Sequence, residues 1–141
     1  MAGFSYPPGG PPADLLVEGT GKTLGEAVAN VALGMLNVIT PLEGIAEKET
    51  FTVEVEGMDL QSLVFNVLDE FLYLNDSEGL TAHSLQVDMD TKSLKVRAEG
   101  RGERFSAATH EVGIAVKAVT YHMMSFEKKE DMWIVRVVFD T

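Results

Sequence analysis

The stretch that decides the fold is Thr23-Leu-Gly-Glu-Ala-Val-Ala-Asn-Val-Ala-Leu-Gly-Met-Leu-Asn-Val-Ile-Thr40. Leu24, Ala27, Val28, Val31, Ala32, Met35, Leu36 and Ile39 recur at three- and four-residue spacing, which lines them up on one side of an α-helix. Thr23 and Glu26 form a T-x-x-E capping box, in which each side chain satisfies an orphan N–H of the first turn. The helix ends near Thr40-Pro41, since proline cannot continue it. A stripe of that size must be buried against something, and the rest of the chain says what.

Downstream, Thr50-Phe-Thr-Val-Glu-Val-Glu56 alternates apolar and polar residues, the period of a half-buried strand. Asp59 is a good N-cap for a second helix, with the stripe Leu60, Leu63, Val64, Val67, Leu68, Phe71 and Leu72. Asn75-Asp76 and Gly79 end it. Leu85, Val87 and Met89 alternate up to a turn at Asp90-Thr91-Lys92, and Leu94, Val96 and Ala98 continue beyond it. Residues 101–113 read as a polar connection and residues 115–126 as a long β-rich segment. Glu127 to Asp131 read as a charged turn. Met132 to Asp140 read as a final strand with Trp133, Val135, Val137 and Phe139 on one face. Upstream, Leu15 and Val17 begin a short strand before Gly19-Thr20-Gly21.

The order is therefore strand, helix, strand, helix, then four strands. This predicts an α+β fold: a two-layer sandwich of a mostly antiparallel mixed sheet with both amphipathic helices packed on one face. Residues 1–13 carry Pro7, Pro8, Pro11 and Pro12 around Gly9 and Gly10, and read as an irregular Pro/Gly-rich arm. Residues 14–141 read as a single domain.

Composition narrows the function. The chain has 141 residues and 45% hydrophobic content, enough for a core, so global disorder is excluded. Lys and Arg number 11 against 22 Asp and Glu, a net charge of −11, which argues against direct binding to a phosphate backbone. Without cysteine there is no disulfide, thiolate nucleophile or Cys-ligated metal. No apolar run approaches the roughly 20 residues of a membrane helix, and no secretion signal is recognisable, so a cytoplasmic location is expected.

Few motifs carry chemistry. Gly19-Thr-Gly-Lys-Thr23 contains Gly-Lys-Thr between a strand and a helix, but the phosphate-loop pattern needs glycine where Leu16 stands. His83, His110 and His122 show no metal-ligand spacing and read as structural or surface residues, the first and last in strands. Glu47, Glu49, Glu54, Glu56, Glu99 and Glu103 read as solvated strand and loop faces. Asp14 and Asp140 differ: one opens the first ordered segment, the other closes the last strand. If those strands are neighbours, the two carboxylates converge with an oxygen of Thr141, a hard donor set suited to Ca²⁺ or Mg²⁺. The bland alternative is a turn aspartate and a frayed one.

Several segments together resemble the archease family. Asp59-Leu-Gln-Ser-Leu-Val-Phe-Asn-Val-Leu-Asp-Glu-Phe-Leu-Tyr73 is similar to that family's second helix, and Gly21-Lys-Thr-Leu-Gly-Glu-Ala-Val28 to the start of its first. His110-Glu-Val-Gly-Ile-Ala-Val-Lys-Ala-Val-Thr-Tyr-His122 is similar to its His-x-x-Gly-x-x-Val-Lys-Ala-x-Thr-Tyr segment. The resemblance implies a protein cofactor that activates an RtcB-type RNA ligase in tRNA splicing and RNA repair, promoting guanylylation and multiple turnover. Such a cofactor is not itself an enzyme and meets tRNA only through the ligase.

The resemblance also implies a divalent cation, Ca²⁺ or a relative, held by Asp14, Asp140 and Thr141. Lys117 matches the family motif's lysine and is a candidate functional cation, the alternative being a solvent-facing strand residue. One departure stands out: Pro11 and Pro12 replace the His and Thr of the family's His-Thr-Ala-Asp motif. Two other readings are weighed beside this one. They are a chaperone-like modulator of tRNA processing or methylation, and a stand-alone enzyme using Asp14 and Asp140 as a carboxylate pair.

Overall fold

In a computed structural model that describes residues 3–141, the chain forms two helices and eight strands. In order they are β1 (Gly3–Ser5), β2 (Asp14–Gly21), α1 (Leu24–Ile39), β3 (Glu49–Glu56), α2 (Leu60–Glu78), β4 (Leu80–Asp90), β5 (Lys95–Arg104), β6 (Ala118–Val119), β7 (Ser125–Lys129) and β8 (Met132–Asp140). A 3₁₀ turn, Leu42–Gly44, follows α1.

The expected α+β architecture is present. Among the described residues every ladder is antiparallel, and the strands divide into two sheets. One runs β1-β2-β8-β6 with β7 also on β8; the other runs β3-β5-β4. Helix α1 contacts both sheets rather than one face of a single sheet. A Cβ on Gly25 would stand 2.2 Å from the Val87 carbonyl of β4, and one on Gly34 would stand 2.6 Å from Val17 of β2. These two glycines let the helix backbone close on each sheet. Accordingly its buried residues, Gly25, Ala27, Val28, Ala29, Val31, Ala32, Gly34, Met35 and Leu36, extend beyond one stripe.

The caps form where the residue types demand them. Thr23 Oγ1 accepts from the Glu26 N–H at 3.0 Å. Asp59 Oδ1 accepts from the Ser62 N–H at 2.7 Å, and Ser62 Oγ accepts from the Asp59 N–H at 3.1 Å, a reciprocal box. Gly79, with φ 67°, ends α2 in the left-handed conformation. The core joins Leu63, Val67, Leu68 and Phe71 of α2 to Val135, Val137 and Phe139 of β8 and Val53, Val96 and Ala98 of the second sheet. Each fully buried large side chain there contributes about 1.5–3 kcal/mol.

Four local expectations are corrected. Within the arm, whose first two residues lie outside the described ones, Gly3–Ser5 is a strand on β2, and Tyr6 donates its hydroxyl to the Gly34 carbonyl at 2.8 Å. Residues 101–104, read as a polar connection, continue β5 opposite β3 and β4; the glycines at 100 and 102 alternate onto the inner side, where the Phe51 ring fills the space beside Gly100 and the Thr81–Ala82 main chain that beside Gly102. The segment 115–126 is strand only at Ala118–Val119 and Ser125–Phe126, because a turn intervenes at Tyr121–Met124, with Met123 at φ 56°. His122 therefore lies in that turn and not in a strand, whereas His83 lies in β4. The charged turn shrinks to Glu130-Asp131, both at positive φ, the two-residue hairpin whose twist suits β7 and β8.

Candidate metal centre

Antiparallel pairing of the first long strand with the last brings the two singled-out aspartates together. Asp14 opens β2, Asp140 closes β8, and they are direct cross-strand partners. Partners in an antiparallel pair project to the same face, so two like charges stand side by side, which is unfavourable without compensation. Both residues are exposed. Main-chain geometry fixes the surroundings. The Thr141 hydroxyl donates to the Ala13 carbonyl at 2.6 Å, and the Asp14 N–H donates to the Pro11 carbonyl at 3.2 Å. Between them Ala13 sits at φ 68°, a left-handed conformation that costs a non-glycine residue about 1–3 kcal/mol.

Lys117 is brought to the same sheet end through its backbone, whose N–H donates to the Asp140 carbonyl at 2.8 Å. The register partner of Asp140 across that edge is Ala118, not Lys117. The lysine side chain is exposed and has no ion pair among the described residues. Asp14, Asp140, Thr141 and Lys117 are thus gathered at one end of the β2-β8-β6 sheet.

The donors available there, two carboxylates together with Thr141 and main-chain oxygens, are all hard, which fits a Ca²⁺- or Mg²⁺-class ion. No three His, Cys, Asp or Glu converge among the described residues. A cation at this end would therefore take its further ligands from Thr141, main-chain oxygen and water, as open calcium sites do.

A second cluster escaped the sequence reading. Glu103, expected to be solvated, is only 13% exposed. Its Oε2 accepts from the Ala46 N–H at 2.7 Å and from His110 Nε2 at 3.0 Å, while Oε1 lies 3.4 Å from Lys48 Nζ. The Ala46 amide above all, then His110, hold its carboxyl at about 2, well below the usual range. His110 is structural, as expected: its side chain is 3% exposed, and its Nδ1 accepts from the Ser106 N–H at 2.8 Å. That bond leaves Nε2 to carry the proton toward Glu103. A seven-residue separation across a polar stretch gives no sequence signal for such a pair.

Elsewhere, a concavity of about 730 Å³ lies on the β3-β5-β4 sheet. Of the charges lining it, Arg97 pairs with Glu54 at 2.9 Å and Lys95 with Glu56 at 3.7 Å, while Asp88 and Asp90 line it without an ion pair among the described residues. No described helix is long and apolar enough to cross a membrane.

Comparison with known proteins agrees with the fold. Residues 9–141 match the archease protein family. The chain is 40% identical to protein archease of Pyrococcus furiosus and 39% identical to that of Thermococcus kodakarensis, each over 131 residues covering 91% of this chain and 92% of the relative. It superposes on the solution structure of Methanobacterium thermoautotrophicum protein 1598 with a TM-score of 0.83 and 31% identity over the whole of both chains. The crystal structure of a Thermotoga maritima archease, described as a possible chaperone, shares the fold at a TM-score of 0.58 and 19% identity, over 97% of this chain and 98% of that one. Matched over nearly its full length, the chain belongs to the archease family.

Proposed function

We propose that this protein is a cofactor of an RtcB-type RNA ligase in tRNA splicing and RNA repair, promoting the ligase's guanylylation and multiple turnover without catalysing ligation. The observation that supports this beyond family membership is the direct opposition of Asp14 and Asp140 beside Thr141. Two neighbouring carboxylates with no basic partner among the described residues are best understood as cation ligands. Asp14, Asp140 and Thr141 would hold Ca²⁺ or a similar divalent ion, which would supply positive charge at an otherwise acidic end. Lys117, one residue before the strand that flanks Asp140, is the chain's own cation for a phosphate or carboxylate of the partner.

The net charge of −11 suits a protein that addresses a ligase while the ligase holds the RNA. Such work belongs in the cytoplasm. Docking shifts the ligase toward a guanylylation-competent conformation only through tighter binding to that state. The test is single-turnover guanylylation of a cognate ligase with Asp14→Ala, Asp140→Ala and Lys117→Ala variants. Loss of stimulation is expected from each aspartate variant, and unchanged stimulation by all three would sink the site assignment. A chaperone-like role, suggested by the description of the Thermotoga protein, is favoured instead if unrelated clients are kept from aggregating and the ligase is unaffected.

A further inference from the structure

Deepening the ligase reading and resting on it, we infer that residues 110–117 form a preformed protein-docking loop whose anchors are Val112 and Ile114. These side chains are 79% and 58% exposed. A single exposed apolar residue means little, but this pair is held outward by a fixed base. The Gly113 N–H donates to the Ile39 carbonyl at 2.8 Å and the Ile114 N–H to the Val38 carbonyl at 2.7 Å, at the end of α1. A Cβ on Gly113 would stand 2.0 Å from the Val38 carbonyl, so only glycine lets the loop lie this close. On the preceding side His110 is buried and clamped between the Ser106 amide and Glu103. Helix and latch together hold the loop in place and keep both side chains out of the core.

The loop adjoins the aspartate pair. Ile114 lies three residues before Lys117, whose N–H meets the Asp140 carbonyl, so at most about 10 Å of chain separates them. Exposed Glu111 lies on the loop, and the chain's net charge of −11 keeps the apolar pair on an acidic protein even with Lys117 nearby. The partner complementary to this surface is a protein with an apolar cleft rimmed by Lys and Arg. An enzyme that grips RNA or nucleotide phosphates carries such cations around its site. Opposite charge sets the approach and orientation, and a loop already ordered loses little entropy on binding.

The test is the affinity of the full chain for its cognate ligase, measured by calorimetry with calcium present. The Val112→Ser/Ile114→Ser double variant is expected to bind at least about tenfold more weakly, with its melting temperature unchanged. Gly113→Ala, which lifts the loop and keeps both anchors, is expected to weaken binding by a smaller factor. Tyr73→Ser, on α2 and 60% exposed, is expected to bind like the wild type. Wild-type-like affinity of the double variant overturns the docking loop and leaves the ligase reading standing. Equal weakening by Tyr73→Ser overturns it as well, because exposed apolar area anywhere would then suffice. No binding by the wild type overturns the ligase reading and this inference together.

Discussion

Two cross-strand pairs on one ladder, four residues apart, carry opposite chemistry. Glu18 on β2 faces Arg136 on β8, and Arg136 Nε donates to Glu18 Oε1 at 2.8 Å. Asp14 faces Asp140 in the same register. The first pair satisfies itself, as do Glu54 with Arg97 and Glu56 with Lys95 on the other sheet. The second does not, and Ala13 beside it is held in a left-handed conformation. Strain and unmatched charge persist where surrounding structure enforces them, and that is more often a working site than an ordinary surface. The difference teaches that position in the ladder, not acidity, sets these two aspartates apart from the paired acids.

The comparison is most sharply tested with the cation itself. If Asp14 and Asp140 are ligands, calcium at a hundredfold excess over its dissociation constant stabilises the protein by about 2.7 kcal/mol. For a chain of this length that raises the melting temperature by roughly 5–10 °C. Asp14→Asn and Asp140→Asn should each abolish the rise, whereas Arg136→Ala should keep it. Thermal melts with and without calcium read this directly. A rise that survives both aspartate variants would erase the distinction between the two pairs.

Next in size is the self-satisfied pair. Arg136→Ala leaves Glu18, 21% exposed, without its partner, and should cost about 1 kcal/mol in urea unfolding once solvent screening is allowed for. The reverse sign is expected across the ladder. In cation-free buffer Asp140→Asn removes a like-charge contact and should stabilise the protein by roughly 0.2–1 kcal/mol. A residue whose removal helps the apo protein and harms its response to calcium is one retained for binding. Destabilisation of the cation-free protein by Asp140→Asn would instead place Asp140 among the structural acids.

Much of this was legible in the sequence, and the gaps have causes. Periodicity found both helices, since Leu63, Val67 and Phe71 can share a face only on a helix, and the side-chain caps at Thr23 and Asp59 mark where each begins. Strand pairing is non-local, so it was visible only as a condition: Asp14 meets Asp140 if the first and last strands are neighbours, and they are. The division into two sheets was not legible, because it depends on glycines that let α1 touch Val87 on one side and Val17 on the other. Arg101-Gly-Glu-Arg104 misled, since a polar strand at a crowded glycine reads like a loop. Residues 115–126 misled in the other direction, because β-branched composition does not reveal a left-handed Met123. Glu103 and His110 were unreadable as a pair; only the path of the loop brings them together.

That part-buried pair gives the last test, which sets a well-partnered acid beside the unmatched ones. Glu103 accepts from Ala46 and His110 and lies near Lys48, and its carboxyl titrates at about 2 instead of the ordinary 4.5. The folded state therefore binds the Glu103 proton more weakly than the unfolded state. Its contribution to stability is fully present above about 4.5 and is lost as the pH falls toward 2. Well above pH 4.5 neither state takes up the Glu103 proton, so the wild type should be more stable than Glu103→Gln by the whole of this contribution. Below pH 4.5 the separation should shrink, and near pH 2 it should close. His110 responds through the same contact: with Glu103 neutral, its Nε2 loses a charged acceptor. Acid should consequently loosen residues 105–110 before it unfolds the sheets, read as faster amide exchange at Ser106 and Ala46. A separation that stays constant down to pH 2 would mean that its partners do not hold the Glu103 carboxyl below its ordinary range.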